Sequence, residues 1–242
     1  ISLNKLIPSD PQFPHQTEAG KPIGYFVGYI VEGLYQSYSD ILRSPVNNVS
    51  GPPAQPGDFK YKDVNNDGVI DDLDRTEIGN PTPDFTYGAS LNLNYKKFDF
   101  GVDIGGVYGN EIYRYWSTSE QKNSVYNYPK YFLEAWNGEG TSNWVPIVNA
   151  QNLKNRAPSS FGIEDGSYVR IRNIGVGYTF NVAKAKIKTA RVYLNVQNLK
   201  TWKRNLGYSP EYGGNALSFG VDGGGPEGAL PRIITGGFSV TF

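Results

Sequence analysis

The chain has 242 residues, with 23 basic and 23 acidic side chains for a formal net charge of zero, and it contains 18 Tyr, 29 Gly and no Cys. Zero net charge excludes a basic field for nucleic acid and a polybasic membrane-surface patch, and the lack of Cys excludes a disulfide framework and thiol chemistry. No stretch approaches the length of a transmembrane helix. That limit does not touch barrel strands, which need only about 9–11 residues and turn one side to water.

The N-terminal residues are rich in Pro, and the single His15 within PSDPQFPHQ reads as a solvated loop histidine rather than a catalytic or metal-binding one. The chain starts ISLNKL and has no Met and no apolar leader, so further polypeptide is expected upstream. Residues 22–36, PIGYFVGYIVEGLYQ, are a strand candidate with imperfect alternation. Residues 36–84 then form a long segment rich in Gly, Pro and Asn, read as a loop.

That loop contains DVNNDGVIDDLD, residues 63–74. Asp63, Asn65 and Asp67 take positions 1, 3 and 5 of a twelve-residue calcium loop, and Gly68 supplies the turn at position 6. Val69 offers its carbonyl at position 7, Ile70 packs inward at position 8, Asp71 stands at position 9 and Asp74 closes position 12. Hard oxygen donors at alternate positions suit Ca²⁺. Asp in place of Glu at position 12 shortens the closing arm and resembles dockerin-type loops. The expected role of the ion is structural, holding a long loop in place. The competing explanation is a solvated Asx-rich turn, because Asn, Asp and Gly favour turns for backbone reasons alone.

From Phe85 to Tyr95 the odd positions are Phe, Tyr, Ala, Leu, Leu and Tyr, while Thr86, Ser90, Asn92 and Asn94 alternate with them. After Lys96-Lys97, Phe98, Phe100, Val102 and Ile104 oppose Asp99, Gly101, Asp103 and Gly105. This predicts two strands joined by a very tight turn. Asp99 and Asp103 on the polar face suit a wet lumen better than a dry core. Residues 109–166 form a second long loop, in which 128–138 could make a short helix. SYVRIRNIGVGYTF, residues 167–180, changes phase near Arg172-Asn173, which predicts a bulge or a departure from the membrane. A short connection at 181–190 leads to the strand RVYLNVQNL, 191–199, and a third long loop covers 200–231.

The last segment, residues 232–242, places Phe238, Val240 and Phe242 on one face and Gly237, Ser239 and Thr241 on the other. Short and long connections alternate along the chain, as in an outer-membrane barrel with short periplasmic turns and long external loops. With the terminal Phe on the periplasmic side, 36–84, 109–166 and 200–231 fall outside. A final Phe on such a strand is similar to the C-terminal assembly mark of bacterial outer-membrane barrels. A secreted, calcium-stabilised β-sandwich that binds carbohydrate is the alternative. Its contacts would include Trp116, Trp136, Trp144 and Trp202, which loop packing or an interfacial belt explains more simply. A glycoside hydrolase would need two of Glu32, Glu134, Glu164 and Glu211, none of which has a recognisable catalytic context. No enzyme activity is expected.

These blocks together resemble the SusC/RagA family of TonB-dependent outer-membrane transporters, in their C-terminal part. The matching residues are GKPIGYFVGYIVEGLYQ, PGDFKYKDVNNDGVIDDLDRTEIGNPTPDFTYG, EDGSYVRIRNIGVGYTF, VYLNVQNLKTW, GYSPE and GGFSVTF, in family order. The resemblance implies an all-β fold, the C-terminal portion of a transmembrane antiparallel barrel that has 22 strands in the family. Import of oligosaccharides or peptides across the outer membrane of Bacteroidetes is also implied. So are a SusD-type surface lipoprotein as lid, TonB as energy source, and lipid around the wall. The plug and the TonB-contact segment lie outside residues 1–242. Roughly six or seven strands are expected here, to be completed by the remainder of the barrel.

Overall fold

The structure is a computed structural model and describes residues 14–116, 129–149, 153–182, 187–215, 217–224 and 230–242. The chain divides into two compact units, one built from 83–110, 165–211 and 226–242, the other from 1–82, 111–164 and 212–225.

The first unit is one antiparallel sheet of five strands that neighbour one another in chain order. They are β1 (Phe85–Tyr95), β2 (Phe98–Tyr108), β3 (Tyr168–Asn181), β4 (Thr189–Lys203) and β5 (Ile233–Thr241). Every predicted strand from residue 85 onward is present, and two of the five, β2 and β4, run a few residues longer than the alternation alone indicated. β1 and β2 join through Lys96-Lys97, with Tyr95 paired directly to Phe98 and Lys96 left-handed at φ 56°. The connection between β3 and β4 includes residues 183–186, which lie outside the described residues.

Register carries the alternation across the sheet. One row runs Leu93, Phe100, Val176, Leu194 and Gly236, and the next runs Leu91, Val102, Ile174, Val196 and Ile234. Directly paired residues share a face, so the apolar residues of all five strands share one side. The phase change in β3 is a bulge: Ile171 pairs with Ile104 and Asn173 with Asp103, which leaves Arg172 as the extra residue. Val169 and Ile171 therefore join Ile174 and Val176 on the apolar side. The partner strand adjusts at the same level, where Asn198 takes a left-handed φ of 52°, a region Asn tolerates.

The second unit corrects the sequence reading in three places. Residues 22–36 are not a wall strand but two short ones, Tyr25–Gly28 and Val31–Leu34. Tyr25–Gly28 sits between His15–Gln16 and Thr76–Gly79, and Val31–Leu34 pairs with Phe59–Tyr61. The sheet accordingly has five strands rather than six or seven. Secondly, the long segments fold rather than wander. Residues 36–84 contain the helix α1 (Tyr38–Arg43), N-capped by Ser37, and the parallel pair Val46–Asn47 with Val69–Ile70. A core of Tyr29, Val31, Leu34, Val49, Phe59, Tyr61, Ile70 and Phe161 draws on three separated stretches of sequence. Thirdly, His15 is buried, with Nε2 hydrogen-bonded to the Phe219 carbonyl at 3.0 Å and the ring edge-on to Phe26. The short helix expected at 128–138 is a 3₁₀ turn over Lys130–Glu134.

This core also holds buried polar groups for which alternation gives no signal. Asp58 accepts from the Gln55 N–H (2.9 Å) and the Asn155 amide (3.2 Å), and Asn155 Oδ1 accepts from the Phe59 N–H. The Lys154 ammonium donates to the carbonyls of Asn47 and Val49. Burial pushes the Asp58 carboxyl up to about 6, outweighing the bonds that favour its charge. A carboxyl raised on folding binds its proton more tightly in the folded state. Its contribution therefore favours folding increasingly as pH falls from about 6 towards 4 and is lost above 6. The difference is about 3 kcal/mol, at 1.36 kcal/mol per pKa unit. We predict that amide protection at Gly57 and Phe59, corrected for intrinsic exchange, rises in the intact protein from pH 7 to pH 5. In Asp58→Asn that rise disappears, whatever the variant's overall stability. An identical slope in both proteins would refute the assignment.

Candidate functional site

The acidic segment folds as a turn whose polar side chains accept from backbone N–H groups. Gly68 adopts φ +86°, the conformation that position 6 requires and that side chains disfavour. Asp63 accepts from the N–H groups of Asp67 (3.2 Å) and Gly68 (2.8 Å), and Asn65 Oδ1 accepts from the same Asp67 N–H (2.9 Å). Asp67 accepts from the Val69 N–H. Asp74 is fully buried and accepts from the N–H groups of Val64 (2.7 Å) and Asp71 (2.9 Å), so it ties the start of the loop to its end. Asp71 caps the 3₁₀ turn Asp72–Asp74, and Ile70 packs inward in the core as expected. The chain thus brings Asp63, Asn65 and Asp67 together on an exposed turn and holds Asp74 beneath it. Among the described residues no three His, Cys, Asp or Glu side chains converge closely enough to hold an ion. The oxygen donors suit a hard cation, but in this arrangement they serve backbone N–H groups.

The second candidate is the wall formed by β1 to β5. Its apolar side is uncovered within its unit: Leu91 is 49 %, Leu194 47 % and Phe238 79 % exposed. Leaving a large apolar side chain in water forgoes about 1.5–3 kcal/mol. At about half exposure, roughly ten such side chains on one side would forgo about 8–15 kcal/mol, comparable to the 5–15 kcal/mol that stabilises a typical domain. This face is therefore built for an apolar surrounding.

The opposite side is polar through its middle rows. Asn92, Gly101, Gly175, Asn195 and Thr235 form one row across the five strands, and Asn94, Asp99, Gly177, Tyr193 and Gly237 form the next. Asp99 faces this side as expected, but it is not alone. Arg191 of β4 reaches over β3 to grip it with two bonds, Nε–Oδ1 at 3.0 Å and Nη2–Oδ2 at 2.5 Å. The bridge crosses Gly177, where any Cβ would collide with both partners. Arg191 was not singled out from the sequence. Its partner is 92 residues away, and only the strand register brings the two together. Asp103 lies in the row above, with the Asn173 amide at 3.5 Å.

Of the other candidates, Glu32 and Glu134 are exposed, and the rest are engaged in the structure to different degrees. Glu164 pairs with the buried Arg114 at 3.1 Å, and Glu211 pairs with Arg170 at 2.5 Å and also bonds the Tyr168 hydroxyl. Trp136 donates to Gln36 and packs against the core, and Trp116 lies against the Arg114 guanidinium and Tyr131. Trp144 packs near Phe161 while remaining half exposed, and Trp202 is half exposed.

No family model matches the chain. It is 30 % identical over 236 residues to the TonB-dependent receptor P26 of Formosa agariphila, covering 92 % of this chain and 23 % of the relative. It is 27 % identical over 217 residues to the TonB-dependent receptor SusC of Bacteroides thetaiotaomicron, covering 86 % of this chain and 19 % of that protein. The chain thus spans about a quarter or less of the length of these curated relatives. Among solved structures it superposes on the RagAB peptide importer in the open-open state with a TM-score of 0.69 at 20 % identity, covering 100 % of this chain and 24 % of that one. The fit to the RagAB peptide transporter gives 0.71, covering 99 % of this chain and 24 % of that one. These relatives are receptors rather than enzymes, which ends the hydrolase reading. The chain is homologous to the TonB-dependent receptors, SusC among them, and is a partial segment of such an outer-membrane β-barrel.

Proposed function

We propose that this chain is the C-terminal part of a nutrient importer of the outer membrane, driven through TonB and taking up oligosaccharides or peptides. A SusD-type surface lipoprotein would cover its outer mouth, and the plug and TonB-contact segment would belong to the rest of the polypeptide. One observation carries this reading: a five-stranded meander gathers most of its large apolar side chains on one exposed side and amides and paired charges on the other. A soluble sandwich would need to cover that apolar side, and its residues stand exposed. In the proposed orientation the apolar side meets lipid, the polar side lines the lumen, and 36–84, 109–166 and 200–231 face the exterior.

The orientation of the wall can be tested one residue at a time. The chain has no Cys of its own, so cysteines placed here report alone once any elsewhere in the receptor are removed. In the full-length receptor in bilayers, Leu194→Cys is expected to react with a lipid-soluble maleimide and resist a charged, water-soluble one. Asn195→Cys, one residue along β4, is expected to do the opposite. Equal reaction of both positions with the charged reagent would defeat the barrel reading.

For the acidic loop, we propose that Asp63, Asn65, Asp67, Asp71 and Asp74, with the Val69 carbonyl, hold a structural Ca²⁺. The supporting observations are the left-handed Gly68 and the hard oxygen donors in register. EDTA is expected to increase proteolysis within residues 63–74 at least several-fold in the folded receptor, and added Ca²⁺ is expected to restore protection. Cleavage at the same rate with and without EDTA would leave the loop as a hydrogen-bonded Asx turn. Asp74→Ala is expected to raise cleavage whether or not Ca²⁺ is present. It leaves the Val64 and Asp71 N–H groups without their acceptor, at about 0.5–1.5 kcal/mol for each lost bond.

A further inference from the structure

A net charge of zero averages over the chain and does not describe one end of the wall. The Lys96-Lys97 turn joins β1 to β2, and Lys188 precedes β4 at the same end of the sheet. Both backbones are fixed there: the Lys97 carbonyl accepts from the Thr179 N–H and the Lys188 N–H donates to the Thr241 carbonyl, each at 2.8 Å. All three lysines are exposed, and among the described residues none of their ammoniums forms an ion pair. Carboxylates at this end do not neutralise them. Asp99 is held by Arg191, and a carboxylate on Phe242 would offset a single charge. The opposite end differs: Arg204 pairs with Asp165 at 2.9 Å and Arg170 with Glu211 at 2.5 Å. The exclusion of a basic membrane-surface patch by overall charge therefore does not extend to the Lys96–Lys97 end.

These lysines border an aromatic band on the apolar side. Tyr95, Phe98, Tyr178, Val192 and Phe238 form one row across the five strands, and Phe180, Ala190 and Val240 stand in the next row out. Tyr95 is 67 %, Phe98 54 % and Phe238 79 % exposed. Lys96 joins the two features. Its ammonium lies 5.1 Å from the centroid of the Tyr95 ring, so this charge rests against a ring of the apolar side. Aromatic rings gather where hydrocarbon gives way to headgroups. Lysine side chains lay their stems along apolar surface there while the ammonium reaches the polar layer. Two strand spacings separate β2 from β4, about 9–10 Å, so the Lys96-Lys97 turn and Lys188 act on one small area of bilayer surface. The oxyanions that a bilayer places at this level are lipid phosphates. A zwitterionic headgroup carries its own ammonium beside the phosphate, whereas an anionic one has a net negative charge to meet an unpaired cation.

We infer that Lys96, Lys97 and Lys188 form a binding site for the headgroups of anionic phospholipids, continuous with the lipid-facing side of the wall. The inference rests on the apolar side meeting lipid, which the cysteine experiment above tests separately. The test uses the full-length receptor, freed of any other Cys, in vesicles of equal parts phosphatidylcholine and phosphatidylglycerol. A bimane label is attached at Ala190→Cys, on the apolar side beside the lysines, or at Trp202→Cys, on the apolar side at the opposite end. Brominated acyl chains on one lipid and then on the other quench the label, and the ratio of the two gives the local composition. Phosphatidylglycerol is expected to be enriched at least threefold at residue 190 and not at residue 202. Equal quenching by both lipids at residue 190, or the same enrichment at both positions, overturns the inference. Lys96→Gln/Lys97→Gln/Lys188→Gln is expected to migrate as a folded barrel on unheated gels and to lose the enrichment. Undiminished enrichment in the folded variant also overturns it. Inorganic phosphate at matched ionic strength is expected to leave the enrichment in place. Its collapse would identify a site for soluble anions instead of lipid, and so would overturn the inference.

Discussion

The sheet answers to a single constraint: each strand must satisfy two different solvents at once. A period of two can do this only if five strands agree on phase, because a slip of one residue exchanges the faces of a whole strand. Phe85–Tyr95 and Phe98–Tyr108 agree without adjustment. β3 agrees only because Arg172 is left out of the ladder, and β4 meets it with a left-handed Asn198. The apolar rows and the amide rows opposite them both presuppose that shared phase.

Glycine has an unusual role on the polar side. In most strands it weakens the sheet by offering nothing to pack. Here the missing Cβ provides space for a neighbour's side chain. The Asp99–Arg191 bridge lies across Gly177, the Arg172 guanidinium lies over Gly105, and the Tyr193 ring lies over Gly237. Long polar groups can then recline on the wall rather than project from it. The bridge also links β2 to β4 directly, so three strands share one electrostatic tie in addition to their ladders.

The legible part of this protein was whatever alternates. Strand positions, the tight Lys96-Lys97 turn, the bulge at Arg172 and the inward face of Asp99 all follow from period two and turn chemistry. The turn at 63–74 was legible from its Asn, Asp and Gly, and in it Gly68 is left-handed and Ile70 joins the core. What alternation misses is the unit made from the long segments. Its core joins Tyr29, at an isolated bridge, Phe59, on a three-residue strand, and Phe161, on a single turn, residues far apart in sequence. Composition rich in Gly, Pro and Asn looks like loop, although such segments can still wrap a core when aromatic residues supply the area. His15 departs from its local sequence signal for the same reason. The Pro-rich surroundings signal exposure, but its burial depends on Phe26 and Phe219, which no local window contains.

The bulge has a further consequence in genetic terms. Within β3, loss of a codon at most positions would exchange lipid-facing and lumen-facing residues for the remainder of the strand. Loss of the Arg172 codon would not, because Ile171 and Ile174 would then alternate regularly through Asn173 against an uninterrupted β2. Arg172 is a spare letter in an otherwise frame-sensitive text. An insertion or deletion accepted in this strand during divergence has one place where it leaves the message intact.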